Sequence, residues 1–287
     1  MAVTPLNALL LLVAGSLTGV LGAILGIGGG VLLIPILVIG LDLPMHQAVA
    51  TSIISVIATS TAVASTNVER GTANMRLGMT LEIATALGAI AGGLTAGRLD
   101  PRTLEGLFAI VLVPTAFLMW RGRTENSSVA DHPPTVNPKK PSTDLGRLGA
   151  SYHDPAAGGE VRYHVERLPL GLLISFVAGN LSGLLGIGGG VFKVPALHLL
   201  CRVPVKAAAA TSNFMIGVTA VASAFLYYGR DELLPAVTAA VVLGVLLGSA
   251  LGSVVNQYLG GKAVKRLFAV LLVAVAVQMI YRALRGA

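Results

Sequence analysis

Charge is scarce in this sequence: 11% of its 287 residues are Asp, Glu, Lys or Arg, against about 25% in an average soluble domain. Aromatic residues are few as well, at 5%, although 54% of the chain is hydrophobic. The apolarity therefore comes from Ala, Val, Leu, Ile and 35 glycines, the composition of closely packed transmembrane helices. These shortages exclude a cytosolic enzyme and a disordered chain. A single cysteine, Cys201, allows no internal disulfide, which excludes a disulfide scaffold and carries no information on redox compartment. No charged residue precedes Asp42, and the first 25 positions hold neither a basic leader nor a clear small-residue cleavage site. The N-terminal stretch thus reads as a retained span, not a signal peptide. The net charge of +7 reads as topology, because Lys and Arg of membrane proteins gather at cytoplasmic helix ends, and not as affinity for nucleic acid.

What is present is a series of apolar stretches. After the N-terminal one they run over 48–67, 78–97, 103–120, 168–187, 207–228, 233–257 and 267–281, mostly near the roughly 20 residues that cross about 30 Å of hydrocarbon. Two more, Val31 to Gly40 and Val191 to Leu200, span only about 15 Å as helix, so each reads as half of a broken span. The segment between Arg121 and Arg167 differs in kind, with His132-Pro133-Pro134, Pro141, the Gly158-Gly159 pair and seven Lys/Arg. It reads as a flexible aqueous linker, dividing the chain into a first transmembrane repeat (1–121), a cytoplasmic linker (122–166) and a second repeat (167–287).

The halves repeat at a constant offset. Gly26-Ile27-Gly28-Gly29-Gly30-Val31 recurs as Gly186-Ile187-Gly188-Gly189-Gly190-Val191, Pro35 as Pro195, Pro44 as Pro204, and Ala50-Thr51-Ser52 as Ala210-Thr211-Ser212. Residues 26–52 and 186–212 share 13 identities in 27 ungapped positions, the signature of a duplicated helical unit. With five crossings per half, one side collects fourteen Lys/Arg against five; if the short segments do not cross, the split is twelve against seven. The larger bias selects inverted copies. The expected fold is an all-α polytopic membrane protein of two inverted repeats of about five helices. The second helix of each repeat is short or broken, the linker is cytoplasmic and both termini are periplasmic.

The glycine triplets do not fit a nucleotide loop, since Val31 stands where a last glycine is needed and no Lys-Ser/Thr follows. A Gly triplet inside an apolar run lets the backbone unwind and leaves N–H groups at the next half-helix without intrahelical partners. Those donors and the positive end of the helix dipole suit an anion. Gly28, Gly29, Gly30, Gly188, Gly189 and Gly190 are therefore candidate substrate-binding residues; close helix packing is the alternative. Lys193, in an otherwise uncharged stretch from Leu168 to Leu200, is a candidate charge partner, against a stem that snorkels to an interface. Thr51, Ser52, Thr211, Ser212 and Asn213 are candidate hydroxyl and amide donors, against hydroxyls bonded to their own i−4 carbonyls. Glu82 and Glu105 lie a few residues from helix ends and read as interfacial. Arg70 and Arg230 occupy equivalent loops and read as headgroup anchors, with anion attraction or gating as the alternative. No catalytic residue, metal site or cofactor is expected.

The repeated G-x-G-G-G-hydrophobic-x-x-x-P element, followed by P-x-x-x-A-x-A-T-S, resembles the TauE/SafE family of sulfite and sulfonate exporters. The likeness covers both halves and excludes the linker, which is longer than is usual in that family. It implies a prokaryotic inner-membrane carrier for small sulfur-containing anions such as sulfite or organosulfonates. The expected partners are such an anion and the lipid bilayer, with homodimerisation left open and no nucleic acid. An anion channel and a non-transport membrane assembly factor remain the alternatives.

Overall fold

A computed structural model describes residues 5–25, 28–121, 148–154, 159–255, 272–279 and 281. Gly26, Ile27 and linker residues 122–147 lie outside the described residues, as does most of the stretch before the last helix. In chain order the elements are α1 (Pro5–Leu25), α2 (Gly30–Pro35), a π-helical turn (Ile36–Gly40), α3 (Met45–Glu69), α4 (Met75–Ala96) and α5 (Pro101–Arg121). There follow β1 (Ala150–Asp154), β2 (Gly159–Tyr163), α6 (Leu168–Leu185), α7 (Gly190–Leu199), α8 (Val205–Tyr228) and α9 (Pro235–Val255), then a helical stretch over 272–279, α10. Six helices, α1, α3, α4, α6, α8 and α9, are long and apolar enough to cross a membrane. Their outward faces carry Leu6, Leu10 and Leu17 on α1, Ile83 and Leu87 on α4, and Leu243 and Leu247 on α9, all exposed, as lipid-facing residues should be.

The short segments are α2 with its π turn and α7, as their length requires. Pro35 and Pro195 each sit inside them. Pro35 has no N–H to continue the α ladder, and the helix beyond it widens into the π turn before Leu43 N bonds Leu37 O at 3.2 Å. The second half closes with the equivalent bond, Val203 N to Leu197 O at 3.1 Å. Pro44 and Pro204 then cap α3 and α8 with nearly the same extended backbone, φ −56° ψ 142° and φ −53° ψ 140°.

Contacts repeat between the halves as local structure does. Gly19 and Gly248 bring α1 and α9 together against the carbonyls of Val245 and Ser16. Gly179 and Gly88 bring α6 and α4 together against those of Thr85 and Phe176, the same pairs displaced by one repeat. Each first helix thus packs on the fourth helix of the other half, through the small residues that let backbones approach. α4 and α8 rise together, Gly78 meeting Phe214 and Gly93 meeting Leu226. α3, joined to α4 by a short turn, runs the other way, so the equivalent helices α3 and α8 are antiparallel, with Ser60 against Gly217 at their crossing.

The two ends of the bundle differ. At one, Asn74 Nδ2 donates to Leu148 O at 2.9 Å and Glu166 N to Cys201 O at 3.2 Å, gathering the α3–α4, β2–α6 and α7–α8 connections. At the other, Arg230 Nη2 donates to Gly93 O at 2.9 Å and stacks on the Tyr227 ring at 4.6 Å, while His46 Nε2 lies 3.1 Å from Ala96 O. The Arg230 guanidinium therefore caps a helix C-terminus, where its charge suits the dipole.

The sequence predicts an all-α chain with a flexible linker, and the described residues 148–154 and 159–166 correct this. β1 and β2 form an antiparallel hairpin that pairs Tyr152 with Val161 and Ala150 with Tyr163. Its apolar face places Tyr152 and Tyr163 edge to face at 6.5 Å, buried in one cluster with Leu77, Leu81, Leu197 and Met215. Burial pushes the Tyr163 hydroxyl above its ordinary pKa, although Asn74 bonds its phenol. An alternating apolar face over a ready-made hydrophobic patch is sufficient reason for a strand pair here.

Gly88→Ala and Gly248→Ala should each destabilise the protein by about 1–3 kcal/mol through overpacking. Gly106→Ala, where a Cβ meets nothing within 4 Å, should be neutral or slightly stabilising, as thermal unfolding in detergent would reveal.

Candidate functional site

Each glycine triplet is a sharp backbone break. Gly28 and Gly29 stand at φ +82° and +71°, Gly188 and Gly189 at +77° and +68°, the left-handed region that other residues enter only with strain. In the second half Gly189 caps α7, and the N–H groups of Phe192 and Lys193 bond its carbonyl at 3.2 and 3.1 Å. The groups before them head the helix without intrahelical acceptors.

The breaks meet at the middle of the bundle. A Cβ on Gly30 would stand 2.6 Å from Ser52 Oγ and 2.7 Å from Gly186 O, and one on Gly28 would touch Val56 and Ile216, from α3 and α8. Ser52 Oγ donates to Gly186 O at 2.9 Å, so a hydroxyl from one half holds the break of the other. Glycine at position 30 is required by packing; that role accompanies whatever binding role the triplets have. The counterpart of Ser52, Ser212, is fully buried, and its Oγ has no hydrogen-bond partner among the described residues. The carbonyl that repeat equivalence would offer it belongs to Gly26, outside the described residues. Thr51 Oγ1 lies 3.4 Å from Thr238 Oγ1, Thr211 Oγ1 accepts from Asn74 N at 2.9 Å, and Asn213 is buried. Most of these polar groups therefore already serve helix-to-helix contacts.

Lys193 does not snorkel. It is 1% exposed, and its Nζ donates to Thr219 Oγ1 at 2.8 Å with Glu82 Oε2 4.0 Å away. Thr219 in turn bonds Glu82 Oε1 at 2.6 Å, and Thr85 bonds Glu82 Oε2 at 2.8 Å. Glu82 is 4% exposed, so its side chain turns from α4 into the protein, toward α7 and α8. Glu105 is also buried, at 8%. Thr219 follows Ser212 and Ile216 on one face of α8, the i, i+4, i+7 spacing, so Lys193 sits within about one turn of the residue that touches Gly28.

Sequence reasoning missed Glu82, Thr85 and Thr219. A usable signal existed, because a lysine buried within the spans requires a carboxylate, and Glu82 and Glu105 are the acids set within the apolar stretches. The arrangement is unequal between the halves. The positions matching Lys193 and Glu82 are Leu33 and Val242, while Thr59 matches Thr219 and bonds Ser55 O at 2.8 Å.

Removing one partner of a buried ion pair costs about 3–5 kcal/mol, whereas replacing both is far cheaper. Lys193→Met alone should lower thermal stability in detergent markedly, and Glu82→Gln/Lys193→Met should recover most of the loss. Strict additivity of the two single changes would contradict the pairing.

The chain matches the sulfite exporter TauE/SafE family over residues 11–279. It is 25% identical over 286 residues to the probable membrane transporter protein YunE of Bacillus subtilis strain 168, across 96% of this chain and 98% of that one. A probable membrane transporter protein of Xylella fastidiosa strain 9a5c is 25% identical over 274 residues, covering 94% and 93%. Another, from Methanocaldococcus jannaschii, is 28% identical over 225 residues, covering 76% and 71%. No solved structure matches the chain at a significant level. A duplicated, glycine-broken bundle of apolar helices, matched from residue 11 to residue 279, belongs to the TauE/SafE family.

Proposed function

We propose that this protein is a secondary transporter that exports a small sulfur-containing anion, sulfite or an organosulfonate, by alternating access of two inverted repeats. The observation that carries the reading is the placement of Lys193. A buried ammonium stands in the first turn of a half-helix opened by left-handed glycines, where helix N–H groups and dipole favour negative charge. The family to which the chain belongs and its relatives' names support transport; the exporter reading and the sulfur oxyanion follow the family's description. The bond of Ser52 to the second break and the buried Ser212 hydroxyl, unpartnered among the described residues, support a second set of donors, released when the halves move apart.

Inversion is supported by the antiparallel course of α3 and α8 and by the exchange of contacts between α1–α9 and α4–α6. The basic linker at the end shared by Asn74 and Cys201 supports a cytoplasmic location for that end in an inner membrane, with the termini periplasmic. A Cβ on Gly28 would already be in van der Waals contact with Val56 and Ile216, and such close packing at the break favours a carrier that must rearrange over an open channel.

Reconstituted into liposomes, the protein should move labelled sulfite or sulfoacetate saturably, and Glu82→Gln/Lys193→Met should lose at least about tenfold in rate, equivalent to about 1.4 kcal/mol. Unsaturable conductance or unchanged flux in that variant would contradict the reading. In a Cys201→Ser background, cysteines at the exposed loop positions Gly71 and Asp231, which are repeat equivalents, should be labelled from opposite faces of the membrane. Labelling from one face would contradict inversion.

A further inference from the structure

Glu82 and Lys193 come from different halves yet share one buried network. An ammonium has three N–H donors. Among the described residues one reaches Thr219 at 2.8 Å, while the carboxylate at 4.0 Å is an ion-pair partner beyond hydrogen-bond length. The pair is neutral as a whole and leaves donor capacity on the lysine.

The hydroxyls beside Glu82 each have a second acceptor. Thr219 Oγ1 lies 2.6 Å from Glu82 Oε1 and 2.8 Å from Met215 O. Thr85 Oγ1 lies 2.8 Å from Glu82 Oε2 and 3.2 Å from Leu81 O. A hydroxyl has a single proton to donate. With Glu82 ionised, both hydroxyls donate to its carboxylate. With Glu82 protonated, the carboxyl donates to Thr219 Oγ1, and the two hydroxyls turn to the backbone carbonyls. Neither state strands a hydroxyl or carboxyl proton, which is the condition for both protonation states of Glu82 to exist in apolar surroundings.

An anion at Lys193 takes over the counter-charge role of Glu82. Two negative charges against one positive would be costly in a low dielectric, and one proton on the carboxylate removes the excess. We infer that Glu82 and Lys193 form a proton-linked anion site: Lys193 takes a singly charged sulfonate-type oxyanion as Glu82 takes one proton from water, and release of the anion returns that proton. The inference rests on the transport reading and adds the proton as the coupled ion.

Other ionisable groups on the surrounding elements are few. α6 contributes none. Arg76 precedes Glu82 on α4, and α8 contributes Lys206 in its first turn and Tyr227 near its far end, where the phenol donates to Gly183 O at 3.0 Å. On α7, His198 Nδ1 is 2.9 Å from Val203 O, and beyond Leu81 the hairpin presents Tyr152 and Tyr163 with Cys201 nearby. Of these groups, Glu82 is the carboxylate in contact with the lysine network.

The test is proton uptake on binding, read with an indicator dye in weakly buffered detergent solution. Methanesulfonate is the first probe, since it carries a single charge that does not titrate near neutral pH, and sulfite is the second. The wild-type protein should take up about one proton per methanesulfonate bound. Its affinity should fall about tenfold per pH unit wherever Glu82 is ionised in the free protein, because the anion-bound form holds the extra proton. Glu82→Gln, shown to be monodisperse by size exclusion, should bind with no proton uptake and no such slope. Binding by the wild type without proton uptake overturns the inference even if Glu82→Gln does not fold, and so does an unchanged proton count in that variant. Failure of both probes to bind the wild type overturns the transport reading together with it, whereas methanesulfonate bound without a proton leaves transport standing and removes only the coupling.

Discussion

A charged ammonium inside an apolar bundle must have a counter-charge, and that requirement ties this molecule together at Lys193. Its partners come from α4 in the first half and α8 in the second, so the network joins the repeats and fixes α7 between them. The glycine break decides where the lysine sits. Without left-handed backbone at Gly188 and Gly189, α7 could not begin so deep in the bundle, and a residue in its first turn would not lie beside Thr219.

Glycine does two different jobs here. Along α1, α4, α6 and α9 it removes side-chain bulk so that backbones of opposite halves touch, and those contacts recur at the repeat offset. At the triplets it also permits a conformation, and the break of one half is gripped by Ser52 of the other. The first role makes rigid helix pairs. The second puts left-handed glycine backbone at the place where those pairs meet, where the proposed movement of one half against the other would need a hinge.

Much of this was readable in the sequence because duplication amplifies weak signals. The short segments, the breaks before them and the capping prolines Pro44 and Pro204 each recur, so position and local structure followed together. Lys193 was conspicuous as a charge in an uncharged stretch. Its partner was not, because Glu82 lies only about two turns from the start of α4, a depth that hydropathy cannot distinguish from an interface. Only the parallel packing of α4 on α8, set by Gly78 and Gly93, turns that residue inward. The hairpin was hidden for a different reason: its strands are short, only one face is apolar, and its stability comes from Leu77, Leu81 and Leu197, remote in sequence. The fates of Thr51, Ser52 and Thr211 likewise depend on which helix each one faces.

The halves have diverged where it matters for charge. Leu33 and Val242 stand where symmetry would place a second lysine and glutamate, so both halves keep the glycine break and the hydroxyls while a single ion pair takes its acid from the first half and its lysine from the second. The most direct measurement is a structure of the protein soaked with selenite, whose selenium is located by anomalous scattering. The account places it within hydrogen-bonding reach of Lys193 Nζ at the head of α7. A selenium position remote from both glycine breaks, with the Lys193 network undisturbed, would contradict it.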